Sequence, residues 1–194
     1  HMRAKWAQQG KVSKAQWQPL WESYVQQHLL PRLYAFELMM APYAIAHMKI
    51  GLKLAETGYT FPEDGPRVNV FLTNALEPAH EISPGLAFEA PMLAHEAAAA
   101  NRVKEQLAAT VVVGNPPYSG DSGNQGEWIT RLMRTRLPDG ADSFFRFNDA
   151  DLGERNPKWV NNDYVKFIRL AQSRLATLGT GVLGFITSNS YLES

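Results

Sequence analysis

Four short apolar runs, each separated from the next by a segment long enough to cross back over a sheet, constrain this chain more than any other feature. They are RLYAFE (32–37), RVNVFLTN (67–74), ATVVVGN (109–115) and TGVLGFITSN (180–189). Helical segments precede and separate them. PLWESYVQQHLL (19–30) has Pro19 at a first position that needs no N–H, and Pro31 as its stop. APYAIAHMKIGLKLAE (41–56) carries Pro42 in its first turn, and PMLAHEAAAANRVKEQLA (91–108) is rich in the strongest helix former. NDYVKFIRLAQSRLATL (162–178) is the last. The order α-β-α-β-α-β-α-β predicts an α/β fold whose sheet is mostly parallel and covered by helices on both faces. At 194 residues the chain is long enough for one sizeable core.

Open α/β sheets bind ligands beyond the carboxyl ends of their strands. Each proposed strand ends there in a polar residue: Glu37, Asn74, Asn115 and Asn189. Asparagine also favours turns, so a plain strand end competes with a site at each position. The most specific of these ends is Asn115-Pro116-Pro117-Tyr118. Two prolines fix φ twice and remove two N–H donors, which leaves carbonyl acceptors without neighbouring donors. The Asn115 side chain adds a further carbonyl, and Tyr118 a flat ring for stacking. Together they suit a planar ligand with an exocyclic NH2, whose hydrogens the Asn115 oxygen and the Pro116 carbonyl would accept. The competing reading is a turn that ends a strand. Average residue usage makes this tetrapeptide a chance event in roughly one of a thousand chains of this length, which favours the functional reading.

Asn115-Pro116-Pro117-Tyr118 matches motif IV, the NPPY signature of amino-group DNA methyltransferases that modify adenine at N6. FELMMAPYAIAHMKIGL (36–52), VFLTNALEP (70–78), NPKWVNNDYVKFIRLAQ (156–172) and GFITSNSYL (184–192) extend the likeness. From residue 19 onward the chain resembles the methyltransferase region of single-chain restriction–modification enzymes of the type ISP and type IIG groups. The resemblance implies a Rossmann-like, S-adenosylmethionine-dependent methyltransferase core, with double-stranded DNA carrying a flipped adenine as partner. It makes Asn115, Pro116, Pro117 and Tyr118 the catalytic residues. It gives Glu37 the ribose hydroxyls of S-adenosylmethionine and Asn74 the cofactor's adenine, with Leu38 and Ala75 beside them. Many relatives carry Asp in place of Asn74, so an acceptor is kept and a charge lost. An acid opening a helix is the other reading of Glu37. Met39, Met40 and Pro42 should lie near the cofactor, although paired methionines also fill cores. Ser188 and Asn189 end the last strand near the target-base pocket or simply in a turn.

The resemblance also implies a glycine-rich motif I loop after a first strand, and no such segment precedes Glu37. GTGVLG (179–184) has the spacing of a nucleotide loop. It leaves a helix and enters a strand, the reverse of what that fingerprint needs, so Gly179 reads as a helix C-cap. The chain therefore reads as residues 1–18 of tag remnant (His1-Met2) and lead-in, followed by a partial, incomplete catalytic domain over 19–194, without the first strand or the target-recognition domain. In the full fold that strand lies between the strands ending at Glu37 and Asn115. Its loss should leave open edges and favour self-association.

Residues 119–160 form a polar insertion with a short basic helix, EWITRLMRTRL (127–137). Arg131, Arg134, Arg136 and Trp128 could meet DNA phosphates or form an ordinary solvated face. The 19 basic and 19 acidic residues cancel, so any nucleic-acid contact must come from such a local patch. The aspartates of the insertion lack metal-loop spacing, His28, His47, His80 and His95 are isolated, and no metal is expected. Cysteine is absent, which excludes disulfides and thiolate chemistry. No apolar run reaches a membrane span, and a cytoplasmic protein without a membrane partner is expected. An amino methyltransferase acting on cytosine N4, RNA or protein glutamine, or a non-catalytic scaffold piece, is the alternative.

Overall fold

The computed structural model describes residue 8 and residues 16–118, 122–153 and 158–189. It is a mixed α/β structure with short parallel strands and no closed barrel. The chain divides into two compact units. Unit 1 comprises residues 1–74 and 83–100, and unit 2 comprises residues 75–82 and 101–194.

Unit 1 begins with α1 (Trp17–Tyr24), which widens into a π turn (Val25–Leu29) and tightens into a 3-10 turn (Leu30–Arg32). Pro31 sits inside that last turn rather than just after the helix. Without an N–H it cannot make the α-helical bond four residues back, so the pitch changes instead of the helix simply stopping. β1 (Tyr34–Glu37), α2 (Met40–Glu56) and β2 (Asn69–Leu72) follow, and β1 pairs with β2 in parallel, Tyr34 opposite Asn69 and Glu37 opposite Leu72. Val25, Leu30, Leu54, Tyr59, Val68 and Val70 form the core, with Trp21, Tyr43 and Ile50 packed against it. A short helix, α3 (Pro84–Glu89), precedes α4 (Pro91–Gln106), whose first part belongs to this unit. α4 contributes Glu96, which takes both Arg67 guanidinium nitrogens at 2.7 and 3.1 Å and tethers the approach to β2.

In unit 2, β3 (Val111–Gly114) pairs in parallel with β6 (Val182–Phe185), Val111 opposite Val182 and Gly114 opposite Phe185. Between them come α5 (Glu127–Arg134), a two-residue antiparallel pair of β4 (Arg146–Phe147) and β5 (Ala150–Asp151), a 3-10 turn (Lys158–Asn161) and α6 (Asp163–Ala176). Met133, Phe145, Val160, Tyr164 and Val165 form an apolar cluster. Arg169, 0% exposed, crosses this region. Its guanidinium donates to the carbonyls of Leu132 (3.1 Å), Asp142 (3.0 Å) and Thr135, so one side chain satisfies three carbonyls, one in the last turn of α5 and two beyond it.

Within the insertion, Asn148 and Asp149 take positive φ of 49° and 65° and close the β4–β5 hairpin. Two expectations need correction. The last strand ends at Phe185, not Asn189. Its partner β3 runs into Pro116-Pro117, which offer no N–H, and Thr187, Ser188 and Asn189 favour local bonding over a ladder. Helices do not cover both faces everywhere. Val111, Val113, Val182 and Ile186, on one face of the β3–β6 pair, are 61–75% exposed. Among the described residues β1 pairs only with β2 and β3 only with β6.

The glycines of 179–184 take the roles their context demands. Gly179 has φ +73° and its N–H returns to the Leu175 carbonyl at 3.1 Å, the geometry of a helix C-cap. A Cβ on Gly181 would meet the Thr110 carbonyl at 2.8 Å, so a side chain there would push α6 and β6 off the start of β3.

Candidate active site

The site residues of unit 1 lie at the carboxyl end of its parallel pair. Glu37 closes β1, and its carbonyl accepts the Thr73 N–H at 2.8 Å just past the end of β2. The half-buried Glu37 carboxylate accepts the Met39 N–H through Oε1 at 3.0 Å, in the turn that precedes α2. Glu37 Oε2 makes no hydrogen bond among the described residues, which leaves an acceptor at the strand end. Asn74 lies two residues beyond β2, half-buried, and Leu38, Met39 and Met40 are exposed. Their exposure sets aside core filling as the role of the methionine pair. Ala75, the next residue after Asn74, belongs to unit 2.

The site residues of unit 2 begin where β3 ends. Gly114 gives its carbonyl to the Ile186 N–H at 3.0 Å, the last ladder bond before the prolines. Asn115 is exposed, Pro116 is buried, Pro117 is exposed and Tyr118 is 49% exposed. The Tyr118 hydroxyl donates to Asn115 Oδ1 at 2.8 Å. In this arrangement the Asn115 oxygen faces Tyr118 and keeps a second lone pair. The Tyr118 and Tyr164 rings meet edge to face, with centroids 6.2 Å apart and planes at 69°, a favoured aromatic geometry. Tyr164, 3% exposed, is in the first turn of α6. Ser188 and Asn189 lie three and four residues past Phe185 and make contacts that tie them to their surroundings.

The basic cluster of the insertion does not form one open patch. Arg136 is bound to Asp142 at 2.9 Å and Asp149 at 2.5 Å. Arg134 lies over the Phe145 ring at 4.1 Å, and Arg131 is exposed. Hydrogen bonding and the charge of Asp142, then Asp149, raise the Arg136 pKa further, so the pair of aspartates holds a permanently charged group. Arg131 is the member of this cluster left in an open setting for a phosphate. Trp128 lines a cavity of about 610 Å³ with Lys104, Glu105, Arg136 and Arg174. Burial lowers the Lys104 pKa there, opposed by Glu77. A second cavity of about 250 Å³ is lined by Gln125, Met133, Arg134, Phe145 and Lys166. Neither cavity includes a residue of 115–118. Among the described residues no cluster of three or more His, Asp or Glu side chains is placed to hold a metal ion. No helix among them is long and apolar enough to cross a membrane.

Sequence reasoning did not single out four residues that shape this end of unit 2: Ser122, Asp163, Tyr164 and Lys166. All are buried, at 3%, 7%, 3% and 4% exposure. The available signal was DYVK at a helix start, where an acid is ordinarily a solvated partner of the helix dipole. Comparison of the chain with family models, curated proteins and solved structures finds no match.

Proposed function

We propose that this chain carries the target-base end, and part of the cofactor end, of an S-adenosylmethionine-dependent methyltransferase that modifies the N6 amine of adenine in DNA. The observation that carries this reading is the state of Asn115. It stands just past a parallel strand, its amide oxygen is oriented by the Tyr118 hydroxyl, and two donor-free prolines follow it. Such a site accepts hydrogens and offers none from Pro116 or Pro117. It is therefore matched to an amine whose lone pair is delocalised into a ring. Accepting both amine hydrogens draws that nitrogen towards tetrahedral geometry and returns the lone pair for attack. The exposed face of Tyr118 would hold the extruded base by stacking, which is worth about 1–3 kcal/mol per base in comparable sites.

At the other end, the open Glu37 Oε2 fits a ribose diol, the interaction made by strand-end acids in dinucleotide folds. S-adenosylmethionine supplies an electrophilic methyl group on a sulfonium when bound. The fold fits the same reading. Two parallel pairs, β1–β2 and β3–β6, are compatible with a partial Rossmann-like fold.

The test uses the natural protein that contains this sequence. It is incubated with methyl-tritiated S-adenosylmethionine and unmethylated phage DNA, total RNA or protein, and the acceptors are digested to nucleosides or amino acids. Label in N6-methyladenosine from DNA alone is the expected result. Label in N4-methylcytosine, in RNA nucleosides or in N5-methylglutamine would replace the substrate assignment. No label in any acceptor would remove the catalytic reading.

A further inference from the structure

We propose that the first turn of α6 is the positioning element of this site, with Tyr164 set against Tyr118, and Asp163 and Lys166 bound to Ser122 and Asn124, so that Tyr118 and Asn115 stand ready for a planar amine. The proposal rests on the reading of residues 115–118 given above. Tyr118 and Tyr164 meet edge to face. Ser122 and Asn124 are held by a buried polar cluster on the same turn of α6. The Ser122 hydroxyl donates to Asp163 Oδ1 at 2.5 Å and accepts from Lys166 Nζ at 2.8 Å. Asn124 Nδ2 donates to the same carboxylate oxygen at 2.9 Å, and Lys166 Nζ also reaches the Asn124 carbonyl at 2.5 Å. The Asn124 N–H returns to Ser122 Oγ at 3.0 Å, and Gln125 Nε2 to the Ser122 carbonyl at 3.1 Å.

A serine touching both a lysine and an aspartate also resembles a nucleophile with its base. Burial argues against that role. Ser122 is 3% exposed, its oxygen is occupied by Asp163, Lys166 and the Asn124 N–H, and no carbonyl could approach it. The cluster is instead costly to build and costly to break. Burial disfavours the Lys166 ammonium, and the charge of Asp163 opposes that effect. A buried ammonium and a buried carboxylate tolerate only a narrow range of geometries when a single hydroxyl bridges them. That narrowness is what a positioning device needs. The same turn of one helix thus fixes Ser122 and Asn124 by charge and Tyr118 by ring contact, and Tyr118 in turn fixes the Asn115 amide.

The experiment places 3-fluorotyrosine at position 118 in the natural protein and follows its fluorine resonance alongside methyl-transfer kinetics. Unaltered protein should show a resonance displaced from free fluorotyrosine by the Tyr164 ring. Tyr164→Leu should return it to the free position, Tyr164→Phe should keep it, and Asp163→Asn and Ser122→Ala should broaden or move it. For Tyr164→Leu, Asp163→Asn and Ser122→Ala, kcat should fall about tenfold with the KM for S-adenosylmethionine unchanged, because misplaced groups cost rate rather than cofactor binding. Hydrogen exchange across Val112–Gly114 serves as the folding control. Ser122→Ala, the mildest change, stands in where another variant loses protection there. A free-like resonance in the unaltered protein overturns the proposal. So does a displaced resonance that moves in the variants with no change in kcat. If the unaltered protein transfers no methyl group, the function assigned to 115–118 fails. The fluorine resonance then still decides whether α6 holds Tyr118.

Discussion

The two parallel strand pairs share a motif and differ in what covers them. In β1–β2, Val70 and Phe71 are 1% and 4% exposed, and every other residue of the pair is at least half-buried. In β3–β6, Val111, Val113 and Val182 stand 61%, 75% and 63% exposed while Val112 and Leu183 face inward. The run VVV reads more strongly as a doubly buried strand than VNVF does, yet it belongs to the more exposed pair. A continuous apolar run states that a strand is suited to cover on both faces. It does not say which segment provides the cover. The units also differ in what holds them. Unit 1 is closed by aliphatic and aromatic packing, whereas unit 2 relies on buried charge, with Arg169 at 0% and Lys166 at 4% exposure.

Substitutions can break or sharpen that comparison. The largest effect should come from Val70→Asp, which places an unpaired carboxylate at a 1% exposed position and should cost at least about 4 kcal/mol in urea unfolding. Arg169→Ala comes next. It orphans three carbonyls at about 1–3 kcal/mol each, so a loss of about 3 kcal/mol or more is expected, confined by hydrogen exchange to unit 2. Glu96→Gln should cost about 1–2 kcal/mol, since it weakens charge-assisted bonds to a partly exposed Arg67. Burial would raise the Glu96 pKa, but the Arg67 hydrogen bonds and charge, with the Leu72 N–H, bring it below the ordinary carboxylate value. A depressed folded pKa means that this stability is present above the ordinary carboxylate range and is lost as pH falls through the folded value. The acid limb of the unaltered protein should therefore be steeper than that of Glu96→Gln. The smallest effect should be Val113→Asp, within about 0.5 kcal/mol, because the side chain is already in solvent. If it costs as much as Val70→Asp, that face is covered in solution, and sedimentation would show whether a second copy covers it.

How much of this could be read in advance varies by residue. Strand centres were legible because β-branched runs and the helices between them have different periods. Their ends were not. The prolines that make residues 115–118 distinctive also cut the ladder, so β6 stops at Phe185. The role of Gly179 was legible because a glycine leaving a helix has one common use, and its φ of +73° agrees. Asp163 and Lys166 were opaque, because their partners Ser122 and Asn124 lie about forty positions away and spacing carries no trace of such a contact. The basic helix looked like a phosphate patch because Asp142 and Asp149, which bind Arg136, come from the hairpin that follows it.

Single-turnover methyl transfer by Asn115→Ala, at saturating S-adenosylmethionine and DNA, tests the central claim most directly. If the Asn115 oxygen accepts the amine's hydrogen, the rate should fall by at least about a hundredfold, while calorimetry gives an unchanged cofactor affinity. A rate within a factor of about two of the unaltered protein would contradict the account.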